Sequence, residues 1–310
     1  MKLATYTRAG RESYGAVLDG GICDVPALWP EGPRTLLAAL QAGPAAMGRI
    51  KELAACTKTL LPRDVVSLLA PIPAPPKVIG LAGNYAEHLR ESLPEQEFVK
   101  DLRGRTTPRP FIMPSTTVIG PGATIPWPSH TRQIDHEIEL AIVMGETACC
   151  VGPADAAKCI AGYTIANDVS ARSLTVAEGR SKRPRDEFYD WLAGKWADGF
   201  CPTGPYLVTA DEVGDPRKLD LELTVNGETR QNGNTSQMIF DVYEVVSFVS
   251  HLMTLTPGDV IATGTPSGVG IATGRLLKGG DVIACRIDKI GELANTLSAP
   301  PERFYRPCKA

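Results

Sequence analysis

Glu137 and Glu139 flank Ile138 in the run Asp135-His136-Glu137-Ile138-Glu139-Leu140-Ala141-Ile142-Val143. A strand sends alternate side chains to one face, so the two carboxylates stand on the same side, roughly 7 Å apart, while Ile138 and Leu140 face the other way. Like charges at that spacing repel and are costly to desolvate unless a cation holds them, and hard oxygen ligands suit Mg²⁺, Ca²⁺ or Mn²⁺. The same alternation is what a solvated outer sheet face shows, so the pair by itself leaves both readings open. Asp168, in Tyr163-Thr164-Ile165-Ala166-Asn167-Asp168-Val169-Ser170-Ala171-Arg172, falls at the end of a predicted strand. It either caps a following helix or supplies a third carboxylate to the same site.

In Asn84-Tyr85-Ala86-Glu87-His88-Leu89-Arg90-Glu91, a short helical turn after the strand-like KVIGLAG puts His88 and Glu91 on one face at i, i+3. A carboxylate beside an imidazole orients it and raises its basicity, which makes a general base; the alternative is a surface ion pair. Lys195, between Gly194 and Trp196, is either a pocket cation for an anionic substrate or an ordinary exposed lysine. The loop Gly264-Thr265-Pro266-Ser267-Gly268-Val269-Gly270 lacks the ending of a phosphate-binding loop. Its glycines predict backbone amides that approach a ligand carboxylate or oxyanion. Trp127, Trp191 and Trp196 read as core or pocket wall.

The elements that must position these groups are short. Residues 1 to about 25 predict a small antiparallel sheet, two helical patterns follow (TLLAALQAG and MGRIKELAAC), and APIPAPPK at 70–77 predicts a stiff boundary. Beyond it come β-rich runs (KVIGLA, IELAIVM, YTIAND, LDLELTVNGE, DVIATG, DVIACRI) with a few helices such as PADAAKCIAG and DVYEVVSFVSHLM. That is an α+β, β-dominated chain, not a doubly wound sheet or a TIM barrel. A net charge of −3 provides no positive field for a polyanion, so small molecules are expected and nucleic acid is not. The eight cysteines show no CxxC or Cys/His ligand spacing, which excludes a disulfide framework or zinc module, and vicinal Cys149-Cys150 reads as buried packing. No run approaches the ~18 apolar residues of a membrane span and the N-terminus has no signal core, so a cytoplasmic setting is expected.

Taken in order, NYxxHxxE, DxExE, NDVSAR, GK with a following DGF, NGExRQxGNTSxMIF and GTPSGVG resemble the fumarylacetoacetate hydrolase family over roughly residues 75–297. The resemblance implies a mixed β-sheet roll for residues 75–300, with residues 1–70 as the small N-terminal α/β domain of longer members. It implies one divalent cation per subunit, Mg²⁺ or Mn²⁺, on Glu137, Glu139 and Asp168, and a water-activating His88/Glu91 dyad on a mobile lid. It also implies that Arg172, Lys195 and Thr265 contact anionic or oxyanion groups of a 2-oxo acid, and that the chain forms a homodimer. Gln231 lies in a family motif without an assigned role. Three positions depart from the family pattern: Met113 stands where many relatives have a basic residue, Thr175 replaces a Gln, and the stretch 92–109 is longer and predicts a different lid.

The reaction these residues imply is metal-dependent hydrolytic C–C cleavage of a 1,3-dicarbonyl or 2-oxo acid of acylpyruvate or fumarylacetoacetate type, through a stabilised enolate. Catalysis would fall to His88, Glu91 and Lys195, with Arg172 and Thr265 on the substrate. Decarboxylation or keto–enol tautomerisation of an oxaloacetate-like acid uses the same metal and enolate, and a non-catalytic ligand-binding paralogue is the contrasting class.

Overall fold

The strand Ile138–Met144 is buried along its whole length, which decides how its alternation is used. Leu140, Ile142 and Met144 enter one hydrophobic core with Tyr163 and Ile165, while Ala141 and Val143 enter a second with Ala166 and Val260. Both faces are therefore covered, and Glu137 and Glu139 continue the second face toward the end of the strand.

The computed structural model describes residues 1–92 and 102–307. Among them, the largest sheet follows the path Gly21–Asp24, Arg11–Leu18, Lys2–Arg8, Cys201–Thr209, Ile160–Asn167, Ile138–Met144, Val260–Ala262, Val78–Leu81, Pro110–Met113. A five-stranded sheet runs Glu228–Asn234, Asp220–Val225, Val282–Ile287, Gly291–Leu297, Thr124–Ile125, and Ser170–Leu174 pairs with Thr131–Asp135. Pairing is mostly antiparallel, with parallel contacts between Val260–Ala262 and Val78–Leu81 and between Gly291–Leu297 and Thr124–Ile125. The architecture is the strand-dominated α+β mixture expected from the β-rich runs.

The N-terminal strands form the expected antiparallel ladder and also join the large sheet, with Lys2 opposite Val208. Helices Leu36–Gln41 and Pro44–Cys56 are separated at Gly43-Pro44, where Pro occupies the first helical position. They bury Leu36, Leu40 and Ile50 in the core that also holds Val78, Met113 and Ala141. The proline-rich residues 70–77 run between these helices and Val78–Leu81 without helix or strand, with Ala70 and Ile72 buried.

Helix Val242–Leu252 begins in a capping box, Asp241 accepting from the Glu244 amide and Glu244 from the Asp241 amide. Its Val242, Val245, Val246 and Val249 are fully buried, so its apolar face is core. Cys149 and Cys150 are exposed, contrary to the packing expected from sequence. The strand ends at Met144, and the turn that carries them touches the helix through the Cys150 amide and Ser250 carbonyl, which leaves the thiols outside. The described cysteines are free, and no helix among the described residues is long and apolar enough to cross a membrane.

Candidate active site

Strand pairing brings the acidic residues together. Ile138 sits opposite Asn167, the Asp168 amide donates to the Glu137 carbonyl (2.8 Å), and the Glu137 amide donates to Asn167 Oδ1 (3.0 Å). Asp168 thereby lies beside Glu137, and the pleat sets Glu139 on the same side. Carboxylate oxygens of Glu137, Glu139 and Asp168 fall within 4.8 Å of one another. The three residues are 5%, 1% and 2% exposed, so this is not a solvated sheet face. The chain after Asp168 enters strand Ser170–Leu174, so no helix is there for it to cap.

Two cations offset this charge. Lys195 is 2% exposed, and its Nζ lies 2.9 Å from Glu137 Oε2 and 2.7 Å from Asp168 Oδ2. Gly194 makes the approach possible, because a Cβ there would meet the Ala171 carbonyl at 2.5 Å while the Ala171 amide donates to the Gly194 carbonyl at 2.9 Å. Arg172 bridges Asp135 (2.9 Å) and Glu137. Burial would push Glu137 up, yet Lys195 and Arg172 outweigh it and hold that carboxyl at about 2. Burial, opposed by Lys195 but reinforced by Glu137, lifts Asp168 to about 6. Glu139 is driven well above the carboxylate range by burial and by the charges of Asp168 and Glu137.

His88 and Glu91 lie on helix Ala86–Ser92, with Nδ1 and Oε1 2.9 Å apart, in a half-buried position. The second Glu91 oxygen accepts from the Gly268 amide at 2.9 Å. Gly264, with φ +93°, turns its amide onto Glu139 Oε2 at 2.7 Å. The Gly270 and Ile271 amides bind Asp135 at 2.6 and 2.9 Å. The glycine loop therefore does present amides to carboxylates, as its composition predicts, but they are the protein's own: Glu91, Glu139 and Asp135.

A cavity of about 310 Å³ gathers His88, Glu137, Glu139, Asp168, Arg172, Lys195 and Thr265, at the small end of ligand-site volumes. Residues 77–298 match the profile of the fumarylacetoacetate (FAA) hydrolase C-terminal family. The chain belongs to the fumarylacetoacetate hydrolase family. It is 37% identical over 281 residues to the mitochondrial oxaloacetate tautomerase FAHD2A of Bos taurus, covering 89% of this chain and 83% of that one. Maleylpyruvate hydrolase from Sphingobium sp. SYK-6, solved with manganese(II) and pyruvate, superposes with a TM-score of 0.75 at 30% identity, over 97% of this chain and all of that one. The 5-carboxymethyl-2-hydroxymuconate delta-isomerase of Mycobacterium smegmatis does so with a TM-score of 0.71 at 33% identity, over 96% and 100%.

The carboxylates of this fumarylacetoacetate hydrolase family member fit a divalent cation on their own chemistry. Asp168 Oδ1 is buried without a hydrogen-bond partner among the described residues, beside two further hard oxygen donors. With all four deprotonated, Asp135, Glu137, Glu139 and Asp168 would carry four negative charges against two on Arg172 and Lys195, a deficit that one divalent ion would close. Ligation needs the deprotonated carboxylates, so protons compete with metal at Asp168 and Glu139, the two whose pKa is raised. Mn²⁺ affinity is therefore expected to fall as pH drops through about 6, and binding near that pH to release protons, which calorimetry in buffers of different ionisation enthalpy measures.

Several residues have roles that the sequence motifs do not assign. Gln231, 1% exposed, accepts from the Ile138 amide (3.1 Å) and donates to Thr265 Oγ1 and the Pro266 carbonyl (2.8 Å each). It joins the acidic strand to the glycine loop, and Gln231→Ala is expected to cost about 1–3 kcal/mol for each buried group it orphans, read by chemical denaturation. Asn84 ties the base of the His88 helix to Phe240 and Thr263. Met113 is buried in the second core away from the cavity, and Thr175 donates to the Tyr305 carbonyl, also away from it. Of the stretch 92–109 expected to form a lid, residues 93–101 lie outside the described residues.

Proposed function

We propose that this chain is a divalent-cation-dependent enzyme that moves a proton at the carbon beside the oxo group of a 2-oxo acid, with keto–enol tautomerisation as its reaction. The observation that carries this reading is the placement of an oriented imidazole and a three-carboxylate cluster in one small cavity. A cation on Glu137, Glu139 and Asp168 supplies Lewis-acid stabilisation of negative charge developing on the substrate oxygens. With the Nδ1–H of His88 donated to Glu91, Nε2 is the basic nitrogen, which takes the carbon-bound proton and returns it to the substrate's oxo oxygen, the reverse transfer converting enol to keto acid. Because Glu91 is itself held by the Gly268 amide, that orientation is set before substrate arrives. Lys195 and Arg172 keep the acidic cluster together, and the edge-to-face pair Phe111 and Trp191, 5.0 Å between centroids, forms an apolar wall of the cavity.

The bovine relative named an oxaloacetate tautomerase supports this reading. Hydrolytic C–C cleavage of an acylpyruvate is the second reading, supported by the solved hydrolase that holds manganese and pyruvate. It uses His88 on water and needs Lys195 and Thr265 at an oxyanion. The Thr265 hydroxyl instead donates to the Ile138 carbonyl at 2.8 Å and accepts from Gln231, which favours the reaction that requires no donor there.

Product analysis on oxaloacetate, acetylpyruvate and fumarylpyruvate, with and without Mg²⁺ after chelation, tests the choice. The expected result is metal-dependent enol–keto conversion of oxaloacetate above the buffer rate, without CO₂ or cleavage. Pyruvate plus a second acid from an acylpyruvate would establish the hydrolase, CO₂ the decarboxylase, and no metal-dependent change on any substrate a ligand-binding protein.

A further inference from the structure

Among the described residues, the cavity is lined by the arginines Arg109 and Arg172 and by Lys195, besides His88. Arg172 is committed to Asp135 and Glu137, and Lys195 to Glu137 and Asp168. The Arg109 guanidinium has no carboxylate partner among the described residues, although its backbone is fixed, its carbonyl accepting from the Ala82 amide at 3.0 Å. That bond extends the ladder between Pro110–Met113 and Val78–Leu81, whose last pair is Leu81 with Pro110.

The pleat places Arg109, Phe111 and Met113 on one face of this ladder. Met113 is 2% exposed in the core, Phe111 is 8% exposed in the cavity wall, and Arg109 is exposed. This face thus passes from core to wall to rim, with roughly 7 Å between successive members. Arg109, permanently charged and without a carboxylate partner among the described residues, lines a cavity whose acidic cluster is 1–5% exposed, with an apolar aromatic wall between core and rim.

We infer that Arg109 is a specificity-determining residue that receives a second carboxylate, at the end of the substrate remote from its 2-oxo acid group. The substrates preferred are then 2-oxo dicarboxylates over 2-oxo monocarboxylates of the same length. The 2-oxo acid end of this statement rests on the function proposed above; the second carboxylate rests on Arg109. A planar guanidinium fork matches a carboxylate with two parallel hydrogen bonds, and a charge-assisted contact of this kind changes affinity by about 10- to 100-fold.

Matched pairs of acids test it. Deuterium exchange at C3, followed by proton NMR with the Mn²⁺-depleted, Mg²⁺-loaded protein, compares oxaloacetate with 2-oxobutyrate. Calorimetry with the Mn²⁺-loaded protein compares 2-oxoglutarate with 2-oxopentanoate. The wild type is expected to prefer the diacid at least about tenfold in both, Arg109→Ala to bring the ratio to within about twofold of unity, and Arg109→Lys to keep part of it. A wild type without diacid preference, or Arg109→Ala that keeps it, overturns the inference. Exchange on neither acid, with a calorimetric preference that Arg109→Ala removes, would overturn the proton-transfer reading and leave Arg109 as the carboxylate site. Exchange with a preference insensitive to Arg109→Ala would do the reverse.

Discussion

His88→Ala is expected to lower kcat for enol–keto conversion by about 10²–10⁴-fold in the metal-saturated protein, the range spanned by a positioned general base. The reason is geometric: Nδ1 is 2.9 Å from Glu91 Oε1, and Glu91 is anchored to the Gly268 amide, so the imidazole is held in one orientation, in which a proton on Nδ1 would be bonded to the carboxylate. Glu91→Gln preserves the shape but removes the charge that favours a proton on Nδ1, and should lose less than His88→Ala. The double variant should lose little more than His88→Ala alone, because the two act as a unit. Steady-state kinetics with saturating Mg²⁺ reads all three. Turnover by His88→Ala within about threefold of wild type would remove His88 from the chemistry.

The second large effect is expected at the carboxylate cluster. Asp168→Asn keeps the size of the side chain but replaces one of three anionic oxygen donors by a neutral amide and removes the charge that meets Lys195 at 2.7 Å. Mn²⁺ binding should weaken by about 100-fold or more and turnover fall to the buffer rate, at a cost in stability because one partner of a buried charge is lost. Truncation to alanine would confuse the two effects, since breaking a buried ion pair costs roughly 3–5 kcal/mol. Free Mn²⁺ measured by electron paramagnetic resonance, beside thermal denaturation, separates the outcomes. Metal binding by Asp168→Asn as tight as in the wild type would place the ion elsewhere.

What could be read from the sequence was short in range. Glu137 and Glu139 are two residues apart and His88 and Glu91 three, so the periods of strand and helix fix their faces before any tertiary contact forms. The β-rich runs likewise mark the strands, because both-sided burial demands continuous apolar stretches such as residues 140–144 of the strand Ile138–Met144. The alternatives that sequence left open closed only with long-range pairing: Asp168 reaches Glu137 through the register of two strands, and Lys195 through a glycine that admits the Ala171 carbonyl. The GTPSGVG loop was legible as a set of carboxylate-seeking amides, whereas the identity of the carboxylates depended on folding Glu91, Glu139 and Asp135 around it. Gln231 and Arg109 carried no local signal of their roles, since an amide riveting two distant segments and an arginine at a cavity rim are defined by what surrounds them. Cys149 and Cys150 were misread for the opposite reason, a frequent burial preference overridden by the end of the strand before them. The choice between hydrolysis and tautomerisation had no local signal, because both use the same acidic cluster and imidazole, and the named relatives include a hydrolase as well as a tautomerase.

The most direct test of a metal-dependent proton transfer in this cavity is C3 deuterium exchange of oxaloacetate by the chelated protein as Mg²⁺ or Mn²⁺ is titrated back. Exchange is expected at the buffer rate without metal, rising to a plateau at one ion per chain, with no rise in Asp168→Asn or His88→Ala. Exchange that is indifferent to chelation, or that returns with metal in either variant, would contradict it.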